Sequence, residues 1–402
     1  MSQLSDRINR LAESETLAMA RKSRELKLLG HQVINLSIGE PDFFTPDPIK
    51  RAAREAIDGN ETFYTPVNGN LDLRQAICGK LRRDNGLAYT AEQIVVSTGA
   101  KQSIANALLC LVNPGDEVIV PAPFWVSYRE IIKMAEGKEV IIRAGIEQDY
   151  KIRPEQLEAA ITPNTRAFIF SSPCNPSGSV YSYDELEGLA AVFAKHPEVT
   201  IVSDEIYELI NFSGRHASLA QFADIHDRVV LINGVSKGFA MTGWRIGYMA
   251  ARKDIAQACT KLQGQVTSGA CSISQKAALA AMKTDPEEVR PMTEKFLERR
   301  NLLISLLKDI PGIYTNEPQG AFYLFPDIRA YFGSSDGNTT IGNAQDLCMY
   351  ILNRVFVALV PGDAFGDPGC IRISYATSEE LLTEAVERIK KALSALKPAG
   401  KT

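Results

Sequence analysis

The chain has 402 residues, 44 Lys and Arg against 48 Asp and Glu, and 45% hydrophobic residues, enough apolar material for a sizeable core and for two domains. Its formal net charge of -4 is scattered along the chain, without the basic footprint of a nucleic-acid binder, and no apolar run approaches the ~18 residues of a membrane span. The stretch Met1 to Glu15 is polar with no apolar signal core, so the cytoplasm is the expected compartment.

In chain order, a helix is expected over 15–29, packing on the C-terminal part of the chain. Short apolar runs then alternate with segments of helical period. The runs 94–97, 117–121, 139–143, 167–171, 200–203, 229–233 and 246–250 read as buried strands. Helices are expected over 102–111, 182–194 and 255–263, and 113–116 and 177–178 supply turn chemistry. The class is α/β, with one large domain built on a mostly parallel seven-stranded sheet. From about Arg290 the pattern changes to a long charged helix reaching Asp309, a short run at 320–325, and helices over 344–354 and 378–396. This part reads as a smaller α/β domain. The expected division is 46–290 for the large domain, and 1–45 with 291–402 for the small one. The polar stretch 333–338 reads as a surface excursion without chemistry.

Seven cysteines, an odd number widely spaced, read as free thiols. The four histidines, His31, His196, His216 and His226, show no zinc-ligand spacing and read as surface or packing residues, so no metal is expected. No Gly-x-Gly-x-x-Gly joins a strand to a helix, which disfavours a nicotinamide dehydrogenase. A regulatory ligand-binding protein would bring a fused DNA-binding segment, and Met1–Ser14 is too short for one.

In open α/β sheets ligands sit beyond the carboxyl ends of parallel strands, so the residues after each apolar run carry the interest. After 94–97 come Gly99, Ala100 and Lys101 at the start of a helix, whose unpaired N–H groups and dipole suit a phosphate; an ordinary tight turn is the alternative. After 117–121 comes Trp125, a flat ring able to stack on an aromatic cofactor, or else a packing residue. Asn175 follows 167–171 on a proline-stiffened loop, as a ligand contact or a turn former. Asp204 and Tyr207 follow 200–203. Asp204 either caps a helix or holds a protonated pyridine nitrogen, the partner a buried carboxylate needs.

Ser236 and Lys237 lie in the run 233–248, Asn-Gly-Val-Ser-Lys-Gly-Phe-Ala-Met-Thr-Gly-Trp-Arg-Ile-Gly-Tyr, where apolar surroundings and the nearby Arg245 favour an uncharged amine. Such an amine attacks aldehydes, and the aldehyde inferred is pyridoxal phosphate, with the Ser236 hydroxyl and Arg245 guanidinium holding its phosphate. A surface lysine beside a strand is the plain alternative.

Taken together, the runs 38–42 (Ile-Gly-Glu-Pro-Asp), 64–67 (Tyr-Thr-Pro-Val), 203–207 (Ser-Asp-Glu-Ile-Tyr) and 371–377 (Ile-Arg-Ile-Ser-Tyr-Ala-Thr), with the asparagine loop and the lysine motif, resemble the fold-type I, class I pyridoxal-phosphate aminotransferases, specifically the bacterial-type aspartate aminotransferase branch. The resemblance covers almost the whole chain. It implies that Lys237 is the Schiff-base lysine and general acid/base, that Asp204 pairs with the pyridinium, and that Asn175 and Tyr207 contact the ring oxygen. It further implies that Trp125 stacks on the ring and that Gly99, Ala100, Lys101, Ser236 and Arg245 surround the phosphate. Tyr64 would reach the phosphate of a neighbouring subunit in a homodimer with shared active sites. Arg372 would clamp the substrate α-carboxylate, with Gly39 against it and Trp125 and Asn175 beside it. Thr16 and Lys101 would serve the distal carboxylate, since the arginine used by the animal and enteric branch has no match around 267–271; Lys101 as an ordinary helix lysine is the alternative. The implied reaction is ping-pong transfer of an amino group between aspartate and 2-oxoglutarate, with amino and 2-oxo acids as partners. Prephenate as a second acceptor, giving arogenate, and a carbon–sulfur lyase on the same scaffold are the other outcomes the resemblance allows.

Overall fold

A computed structural model describes residues 4–13 and 15–398; the remaining residues of the expected 1–45 and 291–402 segments lie outside the described residues. The strands are β1 (Ile34–Asn35), β2 (Ile94–Ser97), β3 (Glu117–Ala122), β4 (Lys138–Arg143), β5 (Thr165–Ser171), β6 (Thr200–Asp204), β7 (Val229–Gly234) and β8 (Gly247–Ala250), followed by β9 (Tyr323–Leu324), β10 (Val357–Ala358), β11 (Val360–Pro361) and β12 (Ile371–Ser374). The main sheet has seven strands in the order β2-β8-β7-β6-β5-β3-β4. Its strands are almost wholly buried, as expected of a sheet with helices on both faces, except the edge strand β4, in which only Ile142 is buried.

Strand β8 alone runs antiparallel to its neighbours β2 and β7. This reversal matters for the site. Residues at the ends of the parallel strands and residues that precede β8 arrive at the same edge, so Asp204 at the end of β6, Lys237 after β7 and Arg245 before β8 converge. One face of the sheet packs Ile119, Phe168, Ile201 and Leu231 against Leu186, Leu189 and Phe193; the other packs Val118, Val120, Ile169 and Val202 against Ile104, Leu108 and Ile131. Burial of each such side chain contributes about 1.5–3 kcal/mol.

A further core joins Met19 and Leu36 to residues 292–396, including Phe296, Phe322, Tyr323, Leu347 and Leu382. Here β1 pairs in parallel with β10, and β12 lies between β11 and β9 in an antiparallel sheet. The long helix Arg290–Lys308 and the terminal helix Glu379–Ser394, capped by Ser378 Oγ accepting from Leu381 N at 3.3 Å, cover this layer. Tyr207 and Ile210 belong to this core as well, so the turn after β6 touches both halves of the molecule. Among the described residues, no helix is long and apolar enough to cross a membrane.

Candidate active site

A cavity of about 350 Å³ opens at the carboxyl edge of the main sheet, lined by residues from both halves. Thr16, Gly39, Ala100, Lys101, Trp125, Asn175, Asp204, Tyr207, Ser236, Lys237, Arg245 and Arg372 all border it. Gly99 lies directly behind. It adopts φ +84°, and a Cβ there would stand 2.2 Å from Arg245 Nη2, so only glycine lets the guanidinium approach the start of the helix Ala100–Leu111. That helix begins without a side-chain cap or a first-turn acid, and its start borders the cavity beside Ser236 and Arg245, a set of donors suited to an anion.

Lys237 donates from Nζ to the Gly39 carbonyl at 2.6 Å. Burial pulls its amine down to about 8; Glu40 pulls the other way, and Arg372 and Arg245 add to the fall. Opposite stands Asp204, whose carboxyl burial pushes up to about 6 although Tyr128 Oη donates to Oδ2 at 2.7 Å and the Ile206 N–H donates to Oδ1 at 3.3 Å. The two hydroxyls of Tyr207 and Tyr323 lie 2.8 Å apart, and burial holds both phenols neutral, well into donor range for Tyr207.

Arg372, on β12, is buried. Nη1 donates to Asn175 Oδ1 at 3.0 Å and Nη2 to the Ser37 carbonyl at 2.6 Å, while Nε has no protein partner. The central carbon of the Arg372 guanidinium lies over the Tyr323 ring, 4.5 Å from its centroid, and over the Phe365 ring at 5.0 Å. At another wall Lys101 Nζ sits 4.9 Å from the Trp125 ring centre, its amine lowered by burial and by Arg245. Thr16 Oγ1 is buried without a hydrogen-bond partner. This donor set fits a phosphorylated pyridine aldehyde with a carboxylate-bearing substrate: donors suited to an anion, an amine near neutrality, a buried acid suited to a ring N–H, and unpaired guanidinium capacity.

Tyr64 is the exception among the residues expected at the site. Its side chain is fully exposed beside Phe63 and Cys271, in a separate hollow, and it does not reach this chain's own cavity. Sequence reasoning missed Tyr128 and Tyr323, which touch Asp204 and Tyr207, and Glu40, which accepts from the Thr242 hydroxyl in a very short contact. Each partner is far away in sequence, and only the apolar neighbourhood of the two tyrosines gave a signal.

The turn after β6 is also held from behind. Glu205 accepts from Ser203 Oγ at 2.9 Å and Ser218 Oγ at 2.6 Å and pairs with His216 at 2.8 Å; Glu208 accepts from Asn85 Nδ2 at 3.0 Å and pairs with Lys80. His216 is thus a buried ion-pair partner and not the surface or packing residue expected. Burial pulls its pKa down, but Glu205 and Glu208 together outweigh burial and raise it. Glu205, Glu208 and His216 place ligand-type atoms within 4.8 Å of one another, but the Lys80 ammonium already supplies their cation. All seven cysteines are free.

The fold and this edge-of-sheet amine define an enzyme class, and comparison with known proteins agrees. The sequence profile of the family "Aminotransferase class I and II" matches residues 31–389. The chain belongs to that family and is an aminotransferase. It is 49% identical over 400 residues to the bifunctional aspartate aminotransferase and glutamate/aspartate-prephenate aminotransferase of Petunia hybrida, covering 98% of this chain and 84% of that one. It is 46% identical to the aspartate/prephenate aminotransferase of Cereibacter sphaeroides, covering 97% and 98%. Among solved structures, the aspartate aminotransferase from Rhizobium meliloti superposes with a TM-score of 0.95 at 42% identity, covering 99% of this chain and 100% of that one. The Thermus thermophilus aspartate aminotransferase with maleate gives 0.91 at 38% identity, covering 98% and 100%.

Proposed function

We propose that this protein is a pyridoxal-phosphate-dependent aminotransferase that moves an amino group between aspartate and 2-oxoglutarate. The observation that carries the reading is the meeting of Lys237, Asp204 and Arg372 in one cavity. When bound, pyridoxal phosphate supplies an electron-accepting ring and stores the amino group between the two half-reactions. Gly99, Ala100, Ser236 and Arg245 would hold its phosphate, Asp204 its ring nitrogen, Tyr207 and Asn175 its ring oxygen, and Trp125 its face.

Arg372 binds the substrate α-carboxylate through its unpaired guanidinium edge and so sets the direction of the α-carbon. Lys237 takes the α-proton at Nζ and gives it up again within the same half-reaction, a role suited to an amine near 8, and the reverse half-reaction runs the same transfers backwards. Gly39, through its carbonyl, holds the ammonium form of that amine. Lys101 and Thr16 stand at the same cavity with a cation and an unpaired hydroxyl, which favours a substrate with a second carboxylate. The same pair suits prephenate, named for two of the relatives above, as a second acceptor. The exposed Tyr64, Phe63 and Phe44 favour a homodimer in which Tyr64 serves the neighbouring site. Seven unpaired thiols favour the reducing cytoplasm.

The test is steady-state kcat/KM on cofactor-loaded protein for aspartate with 2-oxoglutarate, and for glutamate or aspartate with prephenate. Turnover of aspartate is the expected result, and prephenate turnover on the same scale adds the second activity. Turnover of neither dicarboxylic donor would remove the reading.

A further inference from the structure

We propose that Tyr323 is a positioning residue with two separable parts: its hydroxyl sets the donor strength of Tyr207, and its ring supports Arg372. The proposal rests on the assignment of the cavity to pyridoxal phosphate. Tyr323 is fully buried on β9, in the layer away from the main sheet, whereas Tyr207 follows β6 of that sheet. Their hydroxyls are 2.8 Å apart.

The argument is one of proton counting. A phenol has one proton to donate. Once Tyr207 gives its proton to the cofactor's ring oxygen, its own oxygen can only accept from Tyr323, and Tyr323 must be the donor. Arg372, 4.5 Å from the Tyr323 ring centre, works against the rise that burial imposes on the Tyr323 phenol. Arg372 opposes the rise at Tyr207 as well, so the direction of the bond follows from the proton count. A chain of two donors polarises along its length, so Tyr207 becomes a stronger donor than it would be alone. The position is fixed from the far side too: a Cβ on Gly39 would stand 2.7 Å from Tyr323 Oη, so the hydroxyl sits tightly between Tyr207 and the backbone that receives Lys237.

The ring has a different task. Together with the Phe365 ring, 5.0 Å from the same guanidinium carbon, it supplies aromatic faces that hold the guanidinium in place. Hydroxyl and ring are thus expected to affect different measurements.

Tyr323→Phe removes the hydroxyl and keeps the ring; Tyr323→Leu removes both. With pyridoxal phosphate bound, Tyr323→Phe should raise the pKa of the visible absorbance transition by about half a unit, the scale of one neutral hydrogen bond, because a weaker donor to the ring oxygen leaves the neighbouring proton held more tightly. Its kcat should fall by about fivefold, with KM for aspartate within about twofold of wild type. Tyr323→Leu should show the same spectral shift and in addition raise KM by about tenfold. A Tyr323→Phe protein with the wild-type spectral pKa and kcat overturns the hydroxyl's role, and wild-type KM in Tyr323→Leu overturns the ring's. Should Tyr323→Leu not fold, the Phe variant alone decides the first part and Phe365→Leu, at the other ring against the guanidinium, decides the second by the same KM criterion. A wild-type protein that shows no visible, pH-dependent band with pyridoxal phosphate overturns the cofactor assignment and the proposal with it.

Discussion

The Lys237 ammonium and the Gly39 carbonyl, 198 residues apart in sequence, meet at 2.6 Å, so the residue expected to do the chemistry is tethered by backbone from the opposite half of the molecule. The tether favours the charged amine, while burial favours the neutral one and leaves the pKa at about 8. Reaction with pyridoxal phosphate needs the neutral form. Trapping of the cofactor on cofactor-free protein by borohydride should accelerate by about tenfold per pH unit below 8 and level off above it. Lys237→Ala should trap none at this site and lose transamination; retention of an appreciable fraction of activity would sink the assignment.

Asp204 gives a stability prediction of the opposite sense. Its folded pKa is raised from 3.8 to about 6, mainly by burial. Between those values the unfolded chain releases a proton that the folded, cofactor-free protein keeps. Stability therefore falls as pH rises through this window, by up to about 3 kcal/mol. Asp204→Asn keeps an acceptor for Tyr128 and removes the charge. Without cofactor it should resist denaturant better than wild type at pH 7.5 and equally at pH 3, yet be nearly inactive when loaded. Lower stability at pH 7.5 would contradict the burial argument.

Tyr128 is the clearest residue to test around that carboxylate, since its hydroxyl donates to Oδ2 at 2.7 Å. Losing a donor to the ionised form raises an acid's pKa. Tyr128→Phe should move the acid limb of the kcat/KM profile upward by roughly half to one pH unit. An unmoved limb with a uniform drop in rate would indicate packing alone.

Lys101 separates substrates. Lys101→Ala should lower kcat/KM for aspartate and glutamate by about tenfold or more, as expected for a charge-assisted contact, and that for alanine or phenylalanine by less than about threefold. Equal losses for both groups would take Lys101 out of the specificity role and leave it as a neighbour of Trp125.

Much of the main sheet was legible because its strands are continuous apolar runs: the run at 94–97 is β2 and the run at 229–233 forms all but the last residue of β7. The polar residues after them drew attention for a physical reason, since buried polar groups need partners or ligands. The boundaries that shifted are those where apolarity and backbone pairing diverge, as at Ile246, buried but outside β8. Tyr128 and Tyr323 were not legible. Tyrosine suits both core and site, and its role is decided by which hydroxyl it meets across the fold. His216 was misread for the same reason: Glu205 is close in sequence, but only the turn between them makes the pair.

The segment 204–208 sends Asp204, Ile206 and Tyr207 to the cavity and, through Glu205 and Glu208, is anchored behind it by His216 and Lys80. Thr16 and Lys101, by contrast, sit on helices outside the sheet. A change at Thr16 or Lys101 therefore leaves the anchors of that segment in place. The groups that favour a second carboxylate are thus separate from those that hold Asp204 and Tyr207 at the cavity.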